Sequence, residues 1–417
     1  MEKSFEKSQL KQWELFRATN YFTLMWPSFL LLKLHGLFPY KIIITRFVLS
    51  KIGYSMTRII VILYILLLGF ILYHVNISTA LAYDSVPGTL QGHSYLLLGW
   101  LLAIFYYSYY NKRMNLLDNI AKVSSKIPSR LFSHLSKIIH TKDLIGFLFL
   151  MAQSPNIFSS NPLLIANKFL ILYTTLIVYF MDMLYMNCVL IIGACFEDIN
   201  EKLIKLKFNI DRDEPHMLRR IYHVEHNSVI VTDVQLIMKE HNEISDLVNE
   251  LNHTFSLQLI TTVIMTFAEI TFSLYFYILE MVGAKEINLE KQLWYSYFIT
   301  SVTYYAVKLT TMVWACERSK SRAMETGIVV HQIMNNTVDR EIIEELQLFS
   351  LQLLHRDNRF IARGLAIDAL LLTSIVGGIT TYLLILIQFL VSSNSCATEV
   401  TKIPNSTTAP LQYTTIK

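Results

Sequence analysis

Charge is scarce in this chain: Asp, Glu, Lys and Arg make up 16% of its 417 residues, against about 25% in ordinary globular domains. So little polar surface excludes a set of soluble domains. Cysteine is scarce too. Four Cys at 188, 195, 316 and 396 stand too far apart for a disulfide framework or a zinc pattern. Neither sign of charge dominates, since 36 Lys and Arg face 32 Asp and Glu, and that balance excludes a nucleic-acid footprint. Catalytic signatures are missing as well: there is no His-Glu-x-x-His, no phosphate-binding glycine loop and no Gly-x-Ser-x-Gly elbow. Gly377-Gly378 sits in an apolar run, and the 12 His form no metal-ligand cluster. No enzyme, cofactor or metal is expected.

What the chain has instead is long apolar runs. Hydrophobic residues are 53% of it and the mean hydropathy is +0.40, which also excludes disorder. A bilayer core of about 30 Å needs roughly 20 apolar residues per helix. Residues 59–83 and 90–110 contain no charged side chain; 169–196, 255–279, 293–315 and 365–391 contain one each, Asp182, Glu269, Lys308 and Asp368. A seventh run, 144–153, is shorter; with its polar lead it reads as a span over 141–158 ending in a turn at Ser154-Pro155-Asn156. The stretch 21–32 is too short and contains Pro27. With no small-residue cleavage site behind it, it reads as an interfacial helix and not a signal peptide.

The expected fold is therefore an all-α polytopic membrane protein with seven transmembrane helices. Thirty of the 36 basic residues fall in 1–58, 111–142, 197–252 and 316–364, which places the N-terminus and those loops in the cytoplasm and the C-terminus outside. This is the reverse of a G-protein-coupled receptor. The sequons at Asn76 and Asn405 then lie outside, and those at Asn252 and Asn335 lie inside and stay bare. Four regions follow: an N-terminal segment 1–58, a bundle 59–335 with cytoplasmic extensions, an anchor helix plus last span 336–391, and a tail 392–417.

The cytoplasmic stretches carry helical periodicity. Ile244, Leu247, Val248, Leu251, Phe255 and Leu259 recur every three or four residues and run without a breaker into the fifth span. Ile342, Leu346, Phe349, Leu353 and Leu354 repeat the pattern over 341–360, with Asp339 placed to cap it. Intrachain packing and subunit assembly both account for such stripes.

Ionisable residues inside spans are functional candidates. Glu269 is within reach of Lys308 for a structural pair; ligand contact by Glu269 or Asp182 and the lining of a watery cavity are the alternatives. Asp368, near its span's inner end, is expected to cap or pair with a basic loop. Thr262, Thr266, Glu269 and Ser273 share one face of the fifth span, and Tyr297, Ser301, Tyr304 and Lys308 one face of the sixth. With Tyr95 and Trp100 of the second span they outline a pocket among spans two to six on the extracellular side, suited to a small polyhydroxylated or heteroaromatic ligand. An aromatic belt with core packing is the other reading.

The last span ends in Thr381-Tyr382, five hydrophobic residues and Gln388-Phe389. Ser374, Gly378, Thr381, Tyr382, Ile385, Gln388 and Phe389 fall on one side of a helix, a small and polar stripe that on its own fits helix packing as well as a pore. The motif resembles the C-terminal signature of insect gustatory receptors, and the resemblance extends over the whole chain. It implies a tetrameric, ligand-gated, non-selective cation channel of the plasma membrane, homotetrameric or assembled with related receptors. In it the last helix lines a central pore, Gln388 and Phe389 sit at the extracellular-side constriction, and Thr381, Tyr382 and Ile385 line the path. The cytoplasmic stretches 197–252, 316–335 and 339–361 become the anchor holding subunits together. The implied partners are a small-molecule tastant, permeating cations and the lipid bilayer. Leu383 stands where the sugar-sensing branch often carries Glu, which points to a nucleoside, a noxious or bitter compound, or a fructose-like sugar. The competing functions are a seven-helix receptor signalling through G proteins and a secondary transporter.

Overall fold

The computed structural model describes residues 14–43, 46–76, 86–159, 165–213, 220–283 and 289–400, with the side chains at several helix ends outside that description. Ten helices occupy most of it: α1 Tyr21–Leu34, α2 Lys51–Asn76, α3 Val86–Ser108, α4 Tyr110–Ser124, α5 Ser129–Ser159, α6 Ile165–Asp213, α7 Arg220–Gly283, α8 Leu289–Asn336, α9 Arg340–His355 and α10 Ala369–Val400. Two small antiparallel hairpins interrupt the expected all-α fold, β1 Tyr40–Ile43 with β2 Arg46–Leu49 and β3 Ile361–Ala362 with β4 Leu365–Ala366. The β3–β4 turn has Arg363 and Gly364 both at positive φ, 46° and 92°, as a two-residue hairpin with right-handed strand twist requires.

Among the described residues, four helices are long and apolar enough to cross a bilayer, in Lys51–His74, Lys168–Ile210, Ser228–Met281 and Ala369–Phe389. The runs 90–110, 141–158 and 293–315 are helical almost throughout, in α3, α5 and α8. α6 is the axis of the fold. Its most apolar window is 94% buried, because Leu184, Met186, Val189, Ile191 and Ile192 are apolar around its whole circumference, and such a helix belongs inside. It packs along α8 and between α5 and α7.

α5 does not turn at Ser154-Pro155-Asn156 but continues to Ser159. Proline removes the backbone donor for the carbonyl four residues back, here Met151, and the Ser154 hydroxyl donates to that carbonyl at 2.8 Å. α1 likewise differs from a helix resting on the membrane surface. Asn20 and Thr23 close a capping box at its start, and Tyr21, Leu24, Met25, Phe29 and Leu32 are buried in the main core.

α6, α7 and α8 run 49, 64 and 48 residues, far beyond the roughly 20 that a bilayer needs. Their charged ends form a second bundle with α9. Asp339 caps α9, its carboxylate accepting from the N–H groups of Glu341 and Ile342 at 2.9 and 3.2 Å. The helix ends at His355 and not at 360, and residues 356–360 lead into the β3–β4 hairpin. His241, in the charged half of α7, is fully buried between Phe196 of α6 and Phe349 of α9, at ring distances of 5.3 and 5.7 Å. Burial, with a smaller push from Arg356, lowers its pKa to about 4. Asn252 is spent on the hairpin: its amide donates to the Arg359 carbonyl at 2.8 Å and accepts from the Ile361 N–H at 3.1 Å. Of the sequons expected outside, Asn405 and the Ser78 of the Asn76 site lie outside the described residues.

Candidate functional site

Lys308 forms a buried ion pair with Asp182 and not with Glu269. Lys308 Nζ stands 3.0 Å from Asp182 Oδ2, and the two side chains are 2% and 0% exposed. The Thr262 hydroxyl donates to the other carboxylate oxygen at 3.1 Å. The expectation fails on helix rotation. α8 lies directly along α6, which turns Lys308 to Asp182, while Glu269 faces α3 and accepts from Gln91 Nε2 at 3.1 Å.

Between α5, α6 and α8 lies a cavity of about 240 Å³. Lys142, Ile145, Gly146 and Phe149 of α5 line one side, Tyr179 and Met183 of α6 the floor, and Thr303, Tyr304, Val307, Lys308 and Thr311 of α8 the other side. Phe149 and Tyr304 stack across it with centroids 6.4 Å apart. A Cβ on Gly146 would stand 2.8 Å from the Tyr179 hydroxyl oxygen, so glycine allows α5 to approach α6 here. Lys142 pairs with Asp143, whose carboxylate also accepts from Asn187 Nδ2 at 2.9 Å and the Ser28 hydroxyl at 3.1 Å. Tyr179 donates to the Asp143 carbonyl at 2.5 Å.

Of the pocket residues expected from the sequence, Tyr304 and Lys308 line this cavity and Asp182 holds Lys308 from behind. The others sit elsewhere. Tyr95 bonds Thr175 of α6, and Trp100 packs on a small cluster with Tyr64, Leu68 and Leu96. Thr266 is buried with its hydroxyl unpaired among the described residues, and Ser301 is buried. The Tyr297 side chain lies outside the described residues. Lys142, Tyr179 and Asn187 were missed. Lys142 ends a basic stretch and reads as loop, and a lone amide at Asn187 within an apolar run was the one available signal.

On α10, Leu371, Ile375 and Ile379 are buried against the chain, chiefly against α7 and α8. The motif side is not. Tyr382, Ile385 and Phe389 are 56%, 41% and 71% exposed, and Thr381 and Gln388 are also exposed. α7 reaches the motif at one point: Phe267 stands edge-on to Tyr382 with centroids 5.7 Å apart, and a Cβ on Gly378 would meet the Phe267 ring at 3.0 Å.

Long apolar helices around a buried axis, with ion pairs sealed among them, define an integral membrane protein. Residues 27–391 match the family described as 7tm chemosensory receptors, and the chain belongs to that family. Membership makes it a receptor and not an enzyme. Putative gustatory receptors 28b and 28a of Drosophila melanogaster are 33% and 32% identical to it over 175 and 159 residues, covering 40% and 37% of this chain. These alignments span only about a third of the relatives' own length, 37% and 35%. The fold is that of the insect olfactory receptor OR5 from Machilis hrabei. With eugenol bound, that structure superposes at a TM-score of 0.64 with 11% identity, covering 88% of this chain and 97% of the receptor; without eugenol the TM-score is 0.66.

Proposed function

We propose that this chain is a gustatory receptor subunit of the plasma membrane that acts as a ligand-gated cation channel, four subunits surrounding one pore. Its seven spans are α2, α3, α5, α6, α7, α8 and α10, with the N-terminus in the cytoplasm; 59–335 supplies the binding bundle, and 336–391 an anchor helix and the pore helix. The observation that carries this reading is the divided surface of α10, which packs on its own chain through Leu371, Ile375, Ile379 and the Tyr382 ring and leaves the polar Thr381 and Gln388 exposed beside Ile385 and Phe389. An amide in hydrocarbon is costly, and a four-fold axis gives Gln388 water instead. Phe389 rings close the path by dewetting and Gln388 amides line it when open. A small tastant enters the α5–α6–α8 cavity, which in this arrangement lies in the inner half of the spans and not on the extracellular side first expected, and α7 carries the change to α10 through Phe267 and Gly378. The named relatives and the eugenol complex of an olfactory receptor with this fold support a small organic ligand.

The test is whole-cell recording from cells expressing the chain with G-protein signalling blocked. Ligand-evoked current persists if the chain is itself the channel, and Gln388→Ala or Phe389→Ala alters basal conductance or ion preference. Loss of current under blockade, or unchanged currents in both variants, overturns the reading.

A further inference from the structure

The lining of the α5–α6–α8 cavity is charged in one sense only. Lys142 and Lys308 both face it, while their carboxylate partners Asp143 and Asp182 are not among the lining residues. The ammonium groups are also underused. Each carries three donors; among the described residues, Asp182 Oδ2 is the one hydrogen-bond acceptor of Lys308 Nζ, the Tyr305 and Tyr304 rings standing 5.5 and 5.9 Å away. Lys142 spends a donor on the thioether of Met183 at 3.1 Å, a weak acceptor that an oxygen anion displaces.

The remainder of the wall exposes mostly apolar surface, through Ile145, Phe149, Met183, Val307 and the rings of Tyr179 and Tyr304, and of its four hydroxyls those of Tyr179 and Thr311 already donate to the Asp143 and Val307 carbonyls. A polyol needs a polar partner for most of its hydroxyls, and this wall offers few. Two of the lining residues, Ile145 and Val307, are 60% and 57% exposed, so the cavity opens on the outside of the bundle. Since a cavity of about 150 Å³ holds benzene, one of about 240 Å³ takes a body of roughly eight carbons.

We infer that the cavity binds a small amphipathic acid, an apolar body of medium-chain length whose carboxylate lies between Lys142 and Lys308 and which enters sideways from the bilayer. This rests on the cavity being the ligand site of the proposed channel and narrows the tastant to one chemical class, supplied as a free acid and not as a membrane lipid.

The test separates binding from current. The full chain in nanodiscs of neutral phospholipid is photolabelled with a diazirine-bearing octanoate, and the label is mapped by mass spectrometry. Labelling is expected at Ile145, Phe149 or Val307, and octanoate is expected to compete at least about tenfold better than octanol, as one charge-assisted hydrogen bond implies. Lys142→Gln is expected to weaken competition by octanoate and leave octanol unaffected. The double variant Asp182→Asn with Lys308→Met, which removes the second pair as a unit, is expected to do the same. Equal competition by octanol, labelling elsewhere, or no effect of Lys142→Gln overturns the inference, with no reliance on the double variant folding. Displacement by phosphatidic acid as effective as that by octanoate makes the occupant a lipid and overturns it too. Head-group-selective labelling without octanoate-evoked current leaves the ligand class standing and counts against the channel; current from a neutral tastant with no selective labelling does the reverse.

Discussion

α6 and α10 are nearly alike as strings of residues and opposite as structural objects. Their most apolar windows have mean hydropathies of 1.9 and 2.2, yet 94% of the first is buried in the chain and 17% of the second. Hydrophobicity identifies both as membrane helices; what each touches decides its task. α6 is surrounded by its own chain and holds the ion pair and the cavity floor. α10 is held along one stripe, Leu371, Ile375, Gly378, Ile379 and the edge of Tyr382, and its opposite side is exposed.

That contrast breaks or sharpens with substitutions on the two helices. The largest effect is expected from Asp182→Ala on α6, which strands Lys308 as a buried charge at a cost of about 3–5 kcal/mol. Thermal unfolding of detergent-purified protein should show the loss, with much of it recovered in Asp182→Asn combined with Lys308→Met. A melt unchanged by Asp182→Ala would remove α6 as the axis of the fold.

The next effect extends the comparison to the inner end of the span in α6, where Phe196 covers His241 of the cytoplasmic part of α7. Burial holds His241 neutral, with a pKa lowered to about 4. The unfolded chain takes up a proton near pH 6.5 and the folded chain does not. Stability is therefore full above about 6.5 and falls as the pH drops towards 4, by about 3 kcal/mol in all. His241→Phe should flatten this acid limb in a pH series of melting temperatures; an unchanged limb would mean that water reaches the ring.

The smallest effect is the most direct comparison. Ile191→Val on α6 deletes a fully buried methyl and should cost about 1 kcal/mol. Ile385→Val on α10, at a side chain 41% exposed, should leave the melting of the isolated subunit within about 0.5 kcal/mol and act on conductance instead. Equal losses from both would erase the distinction between the helices.

Much of this was legible in the sequence because absence of charge is a one-dimensional signal. The apolar helices within 59–76, 169–196 and 369–391 needed no knowledge of neighbours, although the last starts four residues later than its run because Leu365 and Ala366 form β4; nor did the cap at Asp339 or the uninterrupted path from 241 into the fifth span. The partner of Lys308 was not legible. Asp182 and Glu269 are both single acids within apolar runs, and only the rotation of α7 towards α3 decides between them. Lys142 was hidden for a similar reason: it closes a basic stretch that counts as loop until α5 starts at Ser129 and carries it against α6. Pro155 misled because the rescue of the Met151 carbonyl by Ser154 is a local exchange of donors that proline alone does not announce.

The uninterrupted length of α7 has a mechanical consequence. At 1.5 Å per residue, its 64 residues make a rod about 96 Å long. If it turns as one body, a tilt of about 3° around its middle displaces each tip by about 2.5 Å, half the rise of a helical turn. Asn252, at the middle of that rod, grips the hairpin at the foot of α10 and stays nearly still, while Phe267, 15 residues further along, is carried about 1.2 Å against Gly378. A tilt of α7 therefore holds the foot of α10 in place and pushes on its shaft.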